Sequence, residues 1–301
     1  MKSPKHIYAL LVLVLCVAEG INAAVIFPVG KPEHEFVYDY ARRDEINGGF
    51  YYYNYNVAPY NLDEAALDGE LFAFADGVNH DNLRTFAFLT EDFRSAKYSR
   101  AGAFEYLRGG IVTRPVKNLF LYSNFIVDER MADDPEYTGK KWHGAAGEVE
   151  EAFAAYSNRN FDVILGRFAS FWGPASQSLI LSGEARPMDA FSFRFKWGRI
   201  HFTYQFGKLQ RLAVSTDSTG YFENRYFAGH RIDFRLFDNF NIGLFETIVF
   251  GGRGRHPELS YLNPLLIYHA VQLNEDDDDN TLLGLDITYY LNNRHKLYGQ
   301  L

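Results

Sequence analysis

The 301-residue sequence predicts an all-β fold, an antiparallel transmembrane β-barrel of the outer-membrane type, with a helical plug near its N-terminus. Three features predict this fold. One hairpin has strands with an aromatic face and a polar face, the connections between strands alternate between short and long, and an export signal is followed by no apolar membrane helix. Together they indicate a chain that is exported and then crosses a membrane as strands.

The hairpin runs from Ala190 to Phe206 and turns at Gly198-Arg199. Every second residue of its strands is apolar, and most of these are aromatic: Phe191, Phe193, Phe195, Trp197, Ile200, Phe202, Tyr204 and Phe206. Ser, Arg, Lys, His, Thr and Gln occupy the positions between them. Soluble sandwiches also alternate, but apolar and aromatic side chains toward lipid with cationic ones toward the lumen are typical of transmembrane barrels.

The N-terminus has the features of a secretory signal peptide, predicted at residues 1–23. Two lysines precede an apolar run from Ile7 to Val17, and the small-residue site Ile21-Asn22-Ala23 follows. The run is shorter than the roughly 20 apolar residues of a membrane anchor. Because the only cysteine, Cys16, lies within it, the mature protein is expected to have no disulfide and no cysteine metal site.

Charge and composition argue against other classes of protein. The 30 Lys and Arg are outnumbered by 38 Asp and Glu, for a net charge of −8, which disfavours nucleic-acid binding. The chain has 27 Phe and 21 Tyr, and no stretch after the signal is apolar for long enough to be a membrane helix. This combination favours an outer-membrane barrel over a periplasmic enzyme.

Helical periodicity is confined to the first part of the mature chain. Apolar residues recur at helical spacing in His34–Glu45 and Leu62–Phe74, and a third, weaker helix is predicted at Thr90–Ala96. The predicted domains are therefore a helical plug over residues 24–100 and a barrel over residues 101–301.

Ten strands are predicted after residue 100. They are Phe104–Thr113, Asn118–Val127, Glu148–Tyr156, Phe161–Phe168, Ala190–Trp197, Ile200–Phe206, Arg225–Leu236, Asn241–Phe250, Leu282–Leu291 and one that begins at Lys296. Long connections are predicted at Asp128–Gly147, Ala169–Asp189, Gly207–Asn224 and Gly251–Thr281, with short turns between them. Bacterial barrels have short periplasmic turns and long extracellular loops in this way. Since lipid tolerates no open sheet edge, we expect the barrel to continue beyond this sequence.

One stretch resembles a known family. Leu165-Gly166-Arg167, Phe171-Trp172-Gly173-Pro174, Leu179-Ile180-Leu181-Ser182, Ala185 and Pro187 are similar to the characteristic motif of the capsule assembly Wzi family. The similarity extends to Val127–Arg130, His230-Arg231, Tyr261–Pro264 and Asn280–Asp286. The resemblance implies an 18-stranded outer-membrane barrel plugged by N-terminal helices, incomplete here, that holds capsular polysaccharide at the cell surface.

Two interpretations of the motif residues stay open, polysaccharide contact and bracing of a folded-in loop against the barrel wall. Tryptophan and tyrosine rings stack on sugars, arginines pair with acidic groups of a polymer or with a carboxylate in the lumen, and Gly-Pro sets a turn. The candidate residues are Arg167, Trp172, Gly173, Pro174, Ser182, Arg186, Trp142 and Tyr261.

Metal binding and catalysis have weaker support. Oxygen ligands for calcium occur at Asp276, Asp277, Asp278 and Asp279, but their spacing matches no calcium-binding loop, so no metal or other cofactor is expected. No nucleophile, zinc or phosphate-binding motif occurs, so an enzyme is not expected, and Arg194, Lys196, Arg231, Asp233 and Arg235 are interpreted as a charge network inside the barrel.

The leading functional hypothesis is therefore an outer-membrane barrel that anchors capsular or other surface polysaccharide. Its expected partners are the polysaccharide, outer-membrane lipid and the capsule export machinery. The alternative is a diffusion channel for small solutes or oligosaccharides, which an open lumen would favour.

Overall fold

A computed structural model describes residues 25–27, 57–58, 60–62, 83–94 and 102–301, except for 117, 135–136, 138, 159, 176–177, 184, 216–219, 276–278 and 292–293. The first strands are β1 (Val25–Phe27), β2 (Val57–Ala58), β3 (Tyr60–Leu62), β4 (Leu83–Arg94), β5 (Gly102–Val116) and β6 (Leu119–Asp128). After helix α1 (Glu129–Asp133) come β7 (Lys141–Trp142), β8 (Ala145–Ser157), β9 (Phe161–Phe168), β10 (Phe171–Trp172), β11 (Met188–Trp197) and β12 (Ile200–Ser215). The last elements are β13 (Gly220–Phe237), β14 (Phe240–Gly252), helix α2 (Tyr268–Glu275), β15 (Asn280–Leu291) and β16 (His295–Gln300).

One large antiparallel sheet dominates the described residues. It has 12 strands in the order β16-β15-β14-β13-β12-β11-β9-β8-β6-β5-β4, and the short β7 pairs with β8. Long strands that are neighbours in the sheet follow one another along the chain, so this is an up-and-down antiparallel arrangement. The predicted antiparallel all-β, barrel-like fold is confirmed.

The predicted strands after residue 100 are all present, and most are longer than expected. β9 has the predicted bounds, whereas the predicted long connection Gly207–Asn224 is wrong, because β12 and β13 stay paired up to Ser215 and Gly220. Polar residues are frequent in this stretch of the sequence, so it lacks the regular alternation that marks a half-buried strand. Its register also shifts between Leu209 and Leu212, which interrupts any pattern of period two.

The predicted helix at Thr90–Ala96 is also wrong. Residues Leu83–Arg94 form β4, which pairs with β5 along its whole length. Pairing with a neighbouring strand outweighs the weak local preference of so short a segment. The sheet thus includes a strand N-terminal to Ala101, and the predicted domain boundaries stay a prediction. The other two predicted helices lie outside the described residues, apart from Leu62 at the end of β3.

The two faces of the sheet differ in polarity. Strand register places Leu165 opposite Phe191, and both are exposed on what we call the outer face. The opposite, inner face carries buried polar residues at matching positions, such as Arg194 opposite Thr203 and Thr203 opposite Arg231. Apolar side chains outside and polar ones inside are the reverse of a soluble core and are typical of a membrane barrel wall.

Candidate functional site

The connection between β9 and β11, residues 169–187, folds onto the inner face and is called the inner loop. Trp172 lies at its centre with 0% of its surface exposed. Its ring packs edge-on against Phe227, with the ring centroids 6.1 Å apart and the planes at 70°. A Cβ added at Gly229 would lie 3.0 Å from the Trp172 ring, so the absence of a side chain there makes room for the indole.

One hydrogen bond at its start, one within it and one from its middle hold the inner loop in place. The Ala169 N–H donates to Glu151 Oε1 at 2.7 Å, and the Trp172 N–H donates to the Leu181 carbonyl at 3.0 Å. The Leu179 N–H donates to Gln300 Oε1 at 2.9 Å. The loop therefore joins β8 to β16 across the inner face.

Gly173-Pro174 turns the chain directly after Trp172. Gly173 has a φ of 143°, and a Cβ there would come within 2.7 Å of Ser178 Oγ, so backbone conformation and space both favour glycine. Pro174 is buried, and its carbonyl accepts a hydrogen bond of 2.6 Å from Lys296 Nζ. This arrangement matches the turn predicted from the Gly-Pro pair.

The inner loop also pairs with the N-terminal part of the chain. Phe171 lies opposite Ala58 and Trp172 opposite Val57, in a two-stranded sheet of β10 and β2. A short N-terminal segment thus reaches the inner face at the position of the loop.

Arg167 does not project into the lumen. It lies at the end of β9, directly opposite Asp189 on β11, and the register places both on the outer face. Its guanidinium forms two parallel hydrogen bonds with the Asp189 carboxylate, at 2.8 and 3.0 Å. The lumenal carboxylate considered as its partner is thus wrong, and the pair instead joins the two strands that enter and leave the inner loop.

Three other candidates lie in or beside long connections. Arg186 is exposed, 3.6 Å from Asp134 and 3.4 Å from the side chain of Gln210. Ser182 accepts a hydrogen bond from the Ala185 N–H within the inner loop. Trp142, in β7, is 74% exposed and contacts only His143 edge-on among the aromatic pairs of the described residues.

Tyr261 is fully buried on the outer face. Its ring packs against Phe250 at 4.7 Å and against Tyr268 at 5.7 Å. Its hydroxyl donates to Asp279 Oδ2 at 2.9 Å. Tyr261 and Trp172 are both predicted to stack on sugars, but protein encloses both rings in this structure.

Of the four aspartates considered as calcium ligands, Asp276, Asp277, Asp278 and Asp279, only Asp279 lies within the described residues. Its carboxylate accepts a hydrogen bond from Arg255 at 3.0 Å besides the one from Tyr261. Although burial disfavours the charged guanidinium, hydrogen bonds to Asp279 and Glu258 hold the pKa of Arg255 above its usual value. The carboxylate is thus neutralised by an arginine rather than left for a cation, and no cluster of metal-ligand side chains occurs among the described residues.

Two charge clusters lie on the inner face. Arg231 is fully buried and bonds Asp233 at 2.8 Å and Asp286 at 3.0 Å, while Asp162 lies near Arg194 at 3.2 Å and Lys196 at 3.4 Å. The structure therefore places Arg194, Lys196, Arg231 and Asp233 in charge clusters on the inner face, as predicted, and Arg235 lies on the same face of β13. No local pattern indicates that Asp162 and Asp286 belong to these clusters, because their partners lie on other strands.

Residues that hold the inner loop were also missed by sequence reasoning, namely Glu151, Gln205, Gly229, Lys296 and Gln300. Gln205 contacts the loop through Ser170 Oγ, 3.1 Å from its Oε1. Only Gly229 has a usable signal, because a lone glycine within an aromatic-rich strand indicates close approach by another group.

Comparison with known proteins agrees with this arrangement. The family model for capsule assembly protein Wzi matches residues 80–301, which include the inner loop and every strand of the large sheet. No curated protein matches the chain. Among the described residues, no helix is both long and apolar enough to cross a membrane. The chain therefore belongs to the capsule assembly protein Wzi family.

Proposed function

We propose that this protein binds capsular or other surface polysaccharide and anchors it to the cell surface. Membership of the family associates the chain with capsule assembly. The observation that supports an anchor over a diffusion channel is the inner loop, which lies across the inner face with Trp172 buried at its centre. A loop that occupies the inner face in this way favours contact with polymer at the rim over passage of solutes.

The proposed contact surface is the tip of the connection between β6 and β8, residues Lys140 to His143. All four residues are exposed, and Trp142 is the one tryptophan in the described long connections whose ring is free to stack on a sugar. The two adjacent lysines add positive charge for an acidic polymer. We call this surface the basic-aromatic tip.

Deletion of the gene tests the proposal directly. Polysaccharide synthesis and export should continue, while the polymer moves from the cell-bound fraction to the medium. The measurement is the amount of polysaccharide in each fraction, in deleted and complemented strains. Normal retention in the deletion strain would reject the anchor, and a conductance of the purified full-length protein in planar bilayers would favour the channel instead.

Replacing Trp142 with Ala tests the basic-aromatic tip. Stacking of a nucleobase on one aromatic ring contributes on the order of 1 to 3 kcal/mol. We take this as an upper guide for a sugar, and expect partial loss of retention at an unchanged amount of folded protein. Adding Lys140→Gln and Lys141→Gln should increase the loss for an acidic polymer, and high salt should have the same effect.

Trp197 provides a matched control for this variant. It is 71% exposed, close to the exposure of Trp142, but lies at the short turn between β11 and β12, on the opposite rim of the sheet. Trp197→Ala should leave retention unchanged. Equal loss in both variants would show that the effect is not due to contact at the tip.

A further inference from the structure

The outer face changes from apolar to charged near the long-connection end of β11. From the short turn upward, its outward positions are Trp197, Phe195, Phe193 and Phe191, and the next one is Asp189. Four alternate positions span three steps of about 6.7 Å, or about 20 Å in all, close to the apolar band of about 25 Å in a membrane barrel. Asp189 therefore lies at the boundary between hydrocarbon and headgroups, in the leaflet on the long-connection side.

Cations flank Asp189 on both neighbouring strands. Strand register places Arg167 of β9 and Lys208 of β12 directly opposite it, so all three residues share the outer face. Arg167 is paired with the Asp189 carboxylate, whereas Lys208 is exposed and forms no ion pair with any residue that the structure describes. Strands two positions apart in a sheet are separated by about 10 Å, so the two cations are spaced on the scale of a disaccharide.

More cations surround Gln210, which lies in the bulge of β12. The Arg225 guanidinium donates two hydrogen bonds to the Gln210 carbonyl, at 3.0 and 3.2 Å, and Arg186 Nη1 donates to Gln210 Oε1 at 3.4 Å. The next residue, Arg211, is exposed. A bulge inserts an extra residue into one strand and redirects side chains, and here it collects guanidinium groups around a neutral amide.

These cations carry more positive charge than their acidic partners compensate. Asp189 pairs with Arg167, and Asp134 lies 3.6 Å from Arg186. The other three cations form no ion pair within the described part of the chain. We call the whole set the basic boundary cluster; its members are Arg167, Arg186, Lys208, Arg211 and Arg225. Uncompensated positive charge directly beside an apolar wall suits a ligand with an anionic head and an apolar tail.

We propose that the basic boundary cluster binds the phosphate groups of a phosphorylated glycolipid of the outer leaflet, whose acyl chains lie along the wall of β9 and β11. Leu165 is 61% exposed and Phe191 is 39% exposed, each two residues below a charged position, so the wall offers apolar surface where the chains lie. Arginine and lysine donate charge-assisted hydrogen bonds to phosphate oxygens. A headgroup with two phosphates on a disaccharide fits cations on β9 and β12.

The position of the cluster favours lipid over acidic polysaccharide as its ligand. Lys208 and Arg167 project sideways from the wall, where the surrounding leaflet lies, and not along the barrel axis toward the cell exterior. This inference depends on an outer-membrane location and not on polysaccharide binding. Retention by the basic-aromatic tip and lipid binding by the cluster can therefore fail separately.

Native mass spectrometry of the full-length protein in detergent tests the proposal. The probes are bisphosphorylated lipid A, its enzymatically dephosphorylated form and phosphatidylglycerol, and the measured quantity is the fraction of protein with bound lipid across a titration. Lys208→Gln with Arg211→Gln removes two exposed cations that hold no other described residue in place. Arg199→Gln with Arg294→Gln is the control, because it makes the same change in charge at exposed short turns on the opposite rim.

The Lys208 and Arg211 double variant should bind bisphosphorylated lipid A about tenfold to thirtyfold more weakly, from the typical contribution of a basic residue near an anionic membrane surface. The control should bind it like the original protein, and dephosphorylated lipid should bind the original protein weakly. Equal binding of the two forms of lipid A, equal affinity for phosphatidylglycerol, or equal loss in the control would overturn the proposal. Unchanged lipid affinity with release of polysaccharide from cells would also overturn it and assign the cluster to the polymer. Heat-dependent gel migration confirms that each variant is folded.

Discussion

Replacing Arg231 with Met should lower the free energy of unfolding by about 3 to 5 kcal/mol, the range measured when one partner of a buried ion pair is removed. Asp233 and Asp286 would remain buried with no cation between them, since both are bonded to Arg231 and neither is exposed to solvent. Urea titration of the reconstituted protein measures the change.

Two further variants separate lost charge compensation from lost packing. In Arg231→Met combined with Asp233→Asn and Asp286→Asn the unpaired charges are absent, so most of the lost stability should return. Arg199→Met removes an arginine bonded to Asp238 at 2.7 Å on the exposed short-turn rim, and should cost at most about 1 kcal/mol. Equal losses for Arg199→Met and Arg231→Met would contradict the role of burial.

Replacing Trp172 with Ala should also cost about 3 to 5 kcal/mol, the range for truncating a large buried aromatic side chain. The indole fills the space between Phe227 and Gly229, and few neighbours can move to refill it, because the loop is hydrogen-bonded to Gln300 and Glu151. The measurement is again the unfolding free energy, together with heat-dependent gel migration to show that the barrel still forms.

A double-mutant cycle with Gly229 identifies the contact behind this loss. Gly229→Ala alone should destabilise, because the new Cβ meets the Trp172 and Phe227 rings at 3.0 Å. In the Trp172→Ala background the Phe227 ring is free to move, so the same substitution should become neutral or stabilising. Additive losses would show that the indole and Gly229 do not share this contact.

The sequence was sufficient for the strands that alternate and insufficient for the connections. β9 and the β11–β12 hairpin were predictable because an apolar, aromatic face alternates with a polar one between recognisable turns. The outer position of Arg167 also follows from register, since it shares a face with Leu165, but its pairing with Asp189 depends on which strands are neighbours.

The inner loop and the position of helix α2 depend on contacts that no local pattern reports. Glu246 caps a helix 22 residues further along the chain, and Gln300 holds a loop 121 residues earlier. Both are polar residues within strands, and no sequence motif includes them. The predicted sugar contacts of Trp172 and Tyr261 depend on residue type and on motif position, and neither reveals whether a ring is enclosed by protein.

The contact between Lys296 and Pro174 has a consequence for how the chain folds. These residues are 122 positions apart, and the same inner loop pairs with Val57 and Ala58, far toward the N-terminus. Contacts of such sequence separation form late, because the entropy of closing the intervening chain is lost before they contribute. We therefore expect the hairpins to pair in succession and the inner loop to dock only after both of its distant partners are in place.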